Sequence, residues 1–101
     1  MLNMIMHDGS RHFGDLPEIA TWHQMYDYVS GLAGAQATGL ITDNITEAWI
    51  DFTYSGYKFS INNQFGDYWF FVEDPDCPEQ LLQRVLTHFQ QMLARDFSRS
   101  E

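Results

Sequence analysis

The chain has one thiol, at Cys77, and four scattered histidines, so few side chains are available to build a nucleophilic site. Cys77 precedes a predicted helix, and a helix N-terminus lowers the pKa of a thiol, which favours the reactive thiolate. The neighbouring Asp74, Asp76 and Glu79 carry negative charge that opposes the thiolate. His88 cannot assist along the same helix, because a rise of about 1.5 Å per residue separates the two side chains by several turns. We therefore expect Cys77 to be a structural or incidental cysteine.

Metal-ligand pairs are equally sparse. His23 and Asp27 stand four residues apart on one face of a predicted helix, and could bind a metal together with His7 and His12 from the N-terminal arm. A hydrogen bond at the surface is the commoner meaning of such a pair. The acidic group at 73–79 lacks the spacing and central glycine of a calcium loop, and negative side chains commonly cap a helix N-terminus. We predict no metal site.

Catalytic motifs are missing from the sequence as well. Gly9 and Gly14 have the spacing of a phosphate-binding loop, but Asp15 and Leu16 follow where Lys and Ser or Thr would be needed. No Gly-x-Ser-x-Gly nucleophile motif occurs. We predict no catalytic residues and no cofactor, and hence a protein that is not an enzyme.

Two helices are predicted from apolar residues at helical spacing. The first spans about 17–32 and is capped by Asp15 with Glu18, or one turn later by Thr21 with Gln24. The second contains a continuous apolar stripe within 81–93, and its capping pair is Asp76 with Glu79.

Between the helices the apolar period changes to two, which predicts strands. Ser55-Gly56 is a two-residue hairpin turn between 48–54 and 57–62, and it pairs Tyr54 with Tyr57, Phe52 with Phe59 and Ile50 with Ile61. A four-residue turn at 63–66 then predicts pairing of Ile61 with Tyr68, Phe59 with Phe70 and Tyr57 with Val72. A further strand is expected near 40–43.

These elements define an α+β protein with a single domain, 1–101. We predict an antiparallel β-meander of three or four strands flanked by an N-terminal and a C-terminal helix, in the order α-β-β-β-β-α. Residues 1–14 carry turn formers after a short apolar run, which suits either a flexible arm or an additional edge strand.

The predicted register also defines the sheet face opposite the apolar one. That face is polar but interrupted by three large aromatic side chains; it carries Trp49, Asp51, Thr53, Lys58, Ser60, Asn62, Trp69 and Phe71. Two alternatives stay open. The aromatics lie open to a partner, as anchors in a polar surround do, or they are covered by the first helix, through Trp22 and Met25, or by the N-terminal arm.

Charge is the strongest functional signal in the sequence. The 14 acidic and 5 basic side chains give a net charge of -9, which excludes nucleic acids and anionic membranes as partners. The excess is concentrated in 43–79, where Lys58 is the sole basic residue. Such a field speeds encounter with a basic protein, although it also serves solubility. The predicted partner-binding residues are Trp49, Asp51, Trp69, Phe71, Glu73, Asp74 and Asp76.

The compartment is expected to be the cytoplasm. The N-terminal apolar stretch stops at Met6 and lacks a preceding Lys or Arg, so it does not fit a signal peptide. No stretch approaches the length of a membrane-spanning helix, and a lone cysteine cannot form an internal disulfide.

In size, acidity and α+β make-up the chain resembles the small bacterial immunity proteins of contact-dependent growth inhibition and related systems. The segment GYKFSINNQFGDYWFFVEDPDCPEQLL also resembles uncharacterised bacterial cytosolic proteins. The first resemblance implies an inhibitor that neutralises a basic toxin by direct binding. The alternative is a self-associating structural or accessory protein without catalytic activity, in which Trp49, Trp69 and Phe71 form a homodimer contact.

Overall fold

A six-stranded sheet with two helices on one face forms the protein, and the α+β architecture is confirmed. The computed structural model describes residues 3–42, 48–63 and 66–97. In chain order the elements are β1 (Met4–Ile5), β2 (Arg11–Pro17), α1 (Trp22–Gly31), β3 (Ala35–Thr42), β4 (Ala48–Tyr54), β5 (Tyr57–Asn62), β6 (Asp67–Val72) and α2 (Glu79–Phe97). The strands are ordered β1-β2-β6-β5-β4-β3 across the sheet, and every neighbouring pair is antiparallel.

The hairpin between β4 and β5 has the predicted register. Ile50 lies opposite Ile61, Phe52 opposite Phe59, and Tyr54 opposite Tyr57. Both turn residues have positive φ, 54° at Ser55 and 84° at Gly56, as a two-residue turn matched to the twist of the strands requires. A local turn signal was therefore sufficient to fix this pairing.

The next hairpin has a different register, and the predicted pairing of β5 with β6 is wrong by two residues. Ile61 lies opposite Phe70, and Phe59 opposite Val72. The last pair before the connection is Asn62 with Trp69, so the connection is longer than a four-residue turn. Asn63 lies beyond the ladder, and its side chain accepts a hydrogen bond from the Ala48 N–H at 2.9 Å. Because the register differs by two residues, every side chain keeps its predicted face. Residues 64 and 65 of the predicted turn lie outside the described residues.

The N-terminal third differs most from the prediction. Helix α1 begins at Trp22, and the capping box is the later one: Thr21 accepts from the Gln24 N–H at 3.2 Å, and the Gln24 side chain accepts from the Thr21 N–H at 2.9 Å. The start near Pro17 is wrong because 11–17 forms β2, which pairs with β6. The element order is therefore β-β-α-β-β-β-β-α, and the arm provides the edge strand β1 and most of β2, which pairs on both sides.

The strand expected near 40–43 is present but longer. It forms β3, which pairs with β4 over the whole of Ala35–Thr42. Asp43, the predicted last residue of this strand, lies outside the described residues.

Both helices cover the same sheet face and enclose one core. Helix α1 contributes Met25, Tyr28 and Val29 to that core, and α2 contributes residues from Leu82 to Leu93, against the apolar side chains of the four central strands. The helices are joined by the Tyr28 hydroxyl, which donates to the Asp96 carboxylate at 2.6 Å. Burial, and then this contact, raise the pKa of Tyr28 to about 12. The opposite face, here called the outer face, is covered by neither helix.

Candidate binding site on the outer sheet face

A groove of about 960 Å³ lies on the outer face. Strands β4, β5 and β6 form its floor. The loop between β1 and β2 bounds one side, and Thr38 of the edge strand β3 bounds the other. The lining residues of functional interest are Met6, His7, Asp8, Ser10, Thr38, Trp49, Asp51, Lys58, Ser60, Asn62, Phe71 and Glu73.

The wall formed by the β1–β2 loop is held by its own hydrogen bonds. The Asp8 carboxylate accepts from the Ser10 N–H at 3.0 Å and from the Ser10 hydroxyl at 2.7 Å. The Met6 N–H donates to the Ser10 carbonyl at 2.8 Å, and Gly9 turns the chain with φ of 88°. The bonds from Ser10 lower the pKa of Asp8, so this residue presents a carboxylate to the groove.

The floor of the groove is aromatic. The rings of Trp49 and Phe71 lie nearly parallel with their centroids 6.3 Å apart. Trp49 is half-buried, whereas Phe71 is only 8% exposed. A recessed ring of this kind cannot enter a pocket on a partner, and it instead offers an apolar surface to a group that enters the groove.

Helix α1 does not cover these aromatics, so that expectation is wrong: Met25 packs in the core on the other sheet face. The N-terminal arm, the other cover left open, reaches Trp69 and Phe71 but leaves Trp49 in the groove. His12 of β2 stacks on Trp69 with centroids 4.3 Å apart and lies 5.1 Å from Phe71.

Three carboxylates and one amine give the groove its charge. Asp51 accepts a hydrogen bond from the Ser60 hydroxyl at 2.7 Å. Gly39 leaves room for it, because a Cβ at that position would lie 3.3 Å from the Asp51 carboxylate. The Glu73 N–H donates to the Lys58 carbonyl at 2.9 Å, and both of these oppositely charged residues line the groove. With Asp8, the carboxylates outnumber the amine.

Four of the predicted partner-binding residues line the groove: Trp49, Asp51, Phe71 and Glu73. The other three do not line it. Trp69 is half-buried beside His12, and Asp74 and Asp76 are exposed in the segment before α2. That segment is shaped by Asp74, whose carboxylate accepts from the Asp76 N–H at 2.9 Å.

The acidic segment lies beside a buried arginine. Arg11 of β2 is buried and its guanidinium lies 3.8 Å from the Glu79 carboxylate. Cys77 is buried nearby, and its pKa is raised first by burial and then by Asp74, while Arg11 opposes the shift. The predicted capping pair of Asp76 with Glu79 is not the contact that forms: Glu79 pairs with Arg11, and the Leu82 N–H at the start of α2 donates to the Pro78 carbonyl.

One wall of the groove and part of the other were not predicted from the sequence. His7, Asp8 and Ser10 were interpreted only as turn formers in an arm. The available signal was a turn sequence between short apolar runs, which also predicts a hairpin. Thr38 could not be placed, because the register of β3 shifts between Ala37 and Gly39 and this irregularity has no clear sequence signature.

Comparison with known proteins identifies no family for the chain. No protein-family model matches it, and neither a curated protein nor a solved structure shows significant similarity. Among the described residues, no three His, Cys, Asp or Glu side chains come close enough to hold a metal ion. Within the same residues, no helix has the length and apolar character needed to cross a membrane.

Proposed function

We propose that this chain is a small acidic protein-binding domain, an immunity protein or inhibitor that neutralises a basic toxin in the cytoplasm by direct binding. It acts by occupying its partner and performs no catalysis. The observation that carries this proposal is the outer-face groove, which combines an aromatic floor with three carboxylates and one amine.

The shape of the groove favours a partner that inserts a basic side chain. An arginine guanidinium can stack on the face of Trp49 while it donates to the Asp51 carboxylate. Both parts of such a site lie on β4, two residues apart and on the same face. A lysine ammonium also pairs with the carboxylates but stacks less well, so arginine is the preferred residue of the partner.

The net charge supports the encounter step. The chain carries -9 overall, and carboxylates at the groove direct the attraction towards the contact itself. Charge complementarity of this kind raises association rates more than it raises affinity. A basic toxin would therefore be captured quickly at low salt.

A homodimer through Trp49, Trp69 and Phe71 is the weaker alternative for this face. Two copies meeting here would bring Asp51 and Glu73 of one against the same carboxylates of the other. Like charges in a contact oppose association, whereas a basic partner neutralises them.

Growth rescue tests the proposed function. The probe is the toxin domain encoded by the reading frame next to the gene for this chain, expressed from an inducible promoter. We expect wild type to restore growth, and Trp49→Ala with Asp51→Asn to lose that protection. The matched control is Asp27→Asn, which removes an exposed carboxylate from α1 on the opposite side of the sheet.

The unfolding midpoint of each variant is measured in parallel, so that loss of fold is recognised. Asp51→Asn alone is the milder variant, because an asparagine oxygen still accepts from Ser60. Failure of wild type to protect, or full protection by the folded double variant, would contradict the proposal.

A further inference from the structure

Strand β3 contains one extra residue where it borders the groove. Ala37 lies opposite Phe52. Two residues later Gly39 lies opposite Asp51, so two steps along β3 match one step along β4. Thr38 is the extra residue of this β-bulge, and it lines the groove. Because a bulge bends a strand and re-aims its side chains, it shapes the groove on the β3 side.

The Asp51 carboxylate lies across the sheet towards this bulge. Its Oδ1 accepts the hydrogen bond from the Ser60 hydroxyl of β5. Its Oδ2 lies on the side of β3, beside the Gly39 backbone, where a Cβ would be 3.3 Å away. Among the described residues, no hydrogen-bond donor reaches Oδ2. This oxygen is therefore open to a donor that enters from the β3 side.

The backbone conformation does not require a glycine at residue 39. The φ of Gly39 is not positive, so a residue with a side chain can adopt the same conformation. Glycine also weakens the interior of a strand, where it contributes no packing. What Gly39 provides is space, because a side chain there would press against the Asp51 carboxylate.

This space suits a planar cation. A guanidinium is flat and carries N–H donors around its edge, so it can lie against bare backbone and donate to Oδ2 while it stacks on Trp49. The Thr38 hydroxyl, at the β3 side of the groove, offers a second acceptor. An ammonium is compact and gains nothing from a flat surface. A side chain at residue 39 would therefore weaken the binding of arginine more than that of lysine.

We infer that Gly39 sets the selectivity of the groove for arginine over lysine, by leaving Asp51 Oδ2 open to a guanidinium that enters from the β3 side. The inference rests on the proposed function, and it assigns the contact of the partner's arginine to a defined oxygen and direction of approach. Stacking on Trp49 and net charge alone predict no role for residue 39.

Peptide binding tests this selectivity without the toxin. The probes are two blocked pentapeptides, Gly-Gly-Arg-Gly-Gly and Gly-Gly-Lys-Gly-Gly, and NMR titration of the Trp49 indole N–H signal gives the Kd of each. We expect wild type to bind the arginine peptide at least about fivefold more tightly. Gly39→Val should weaken the arginine peptide and bring the two Kd values within about twofold of each other, because its side chain covers Oδ2.

Two controls isolate the mechanism. Gln36→Val places the same side chain on β3 at an exposed position that does not line the groove, and it should keep the preference of wild type. In the Asp51→Asn background, Gly39→Val should have no further effect on the preference, because the two residues act through one contact. Unfolding midpoints show which variants are folded, and Gly39→Ala is the smaller substitution should Gly39→Val not fold.

An arginine preference that survives in a folded Gly39→Val variant would overturn the inference. Equal binding of the two peptides by wild type, or binding of neither at the highest soluble concentration, would do the same. Growth rescue separates these results from the proposed function. A wild type that keeps the arginine preference but does not rescue growth refutes the proposed function alone, whereas rescue without a preference refutes this inference alone.

Discussion

His12 is a titratable residue that the fold buries without a hydrogen-bond partner in the described part of the chain. It is 3% exposed, and neither ring nitrogen has a hydrogen-bond partner among the described residues. Its ring instead stacks on Trp69 and lies tilted against Phe71. Burial lowers the pKa of His12, and the charge of Asp15 opposes this shift only in part. Burial therefore favours the neutral form of this imidazole.

This burial predicts a pH-dependent stability. The folded-state pKa lies below the unfolded value of 6.5. As pH falls through 6.5, the unfolded chain gains a proton that the folded chain does not, so the free energy of unfolding decreases. Above that pH the effect is absent.

Urea unfolding at pH 8 and pH 5.5, followed by tryptophan fluorescence, measures the effect. Wild type should lose more stability on acidification than His12→Phe, which keeps the stacking but does not titrate. The other three histidines are common to both proteins. An identical pH dependence in the two would show that His12 takes up its proton without cost.

At the scale of elements, β2 departs furthest from the sequence prediction. Local signals at 15–18 favour a helix start, yet β2 has no helical pattern of its own and pairs with β6. The deciding interaction is with β6, whose residues are 50 to 61 positions away from their partners in β2, and local propensity does not report it. The Ser55-Gly56 hairpin, by contrast, was predicted in full because its turn and its pairing are adjacent in sequence.

Close packing of β2 against α2 predicts the effect of Gly14→Ala. A Cβ at Gly14 would lie 2.7 Å from both terminal methyl carbons of Leu86, a buried residue of α2. The φ of Gly14 is not positive, so the cost is steric and not conformational. Overpacking should reduce the free energy of unfolding by about 1–3 kcal/mol.

A double-mutant cycle checks that mechanism. Leu86→Ala opens a cavity beside residue 14, so the methyl of Gly14→Ala should cost less in that background than in wild type. Additive effects, or a change below about 0.5 kcal/mol in the single variant, would show that Leu86 moves aside freely.

At the scale of the whole molecule, part of the candidate binding site could be predicted from the sequence. The pattern of alternation placed Trp49, Asp51 and Phe71 on one face because a period of two is fixed by strand geometry. Glu73 follows the last strand and joins them through its backbone bond to Lys58. Asp74 and Asp76 were grouped with it by sequence proximity, but the chain turns away from the groove before α2. Residues 6–10 reach the groove through a hairpin that the sequence left undecided.

The binding groove is the central claim, and dissociation kinetics test it most directly. The measurement compares wild type, Asp51→Asn with Glu73→Gln, and Asp74→Asn with Asp76→Asn, each binding the neighbouring toxin domain. Both double variants remove two charges, so both should slow association at low salt. Only the groove variant should also dissociate faster, by about tenfold or more. Equal dissociation rates for the two double variants would contradict a contact in the groove.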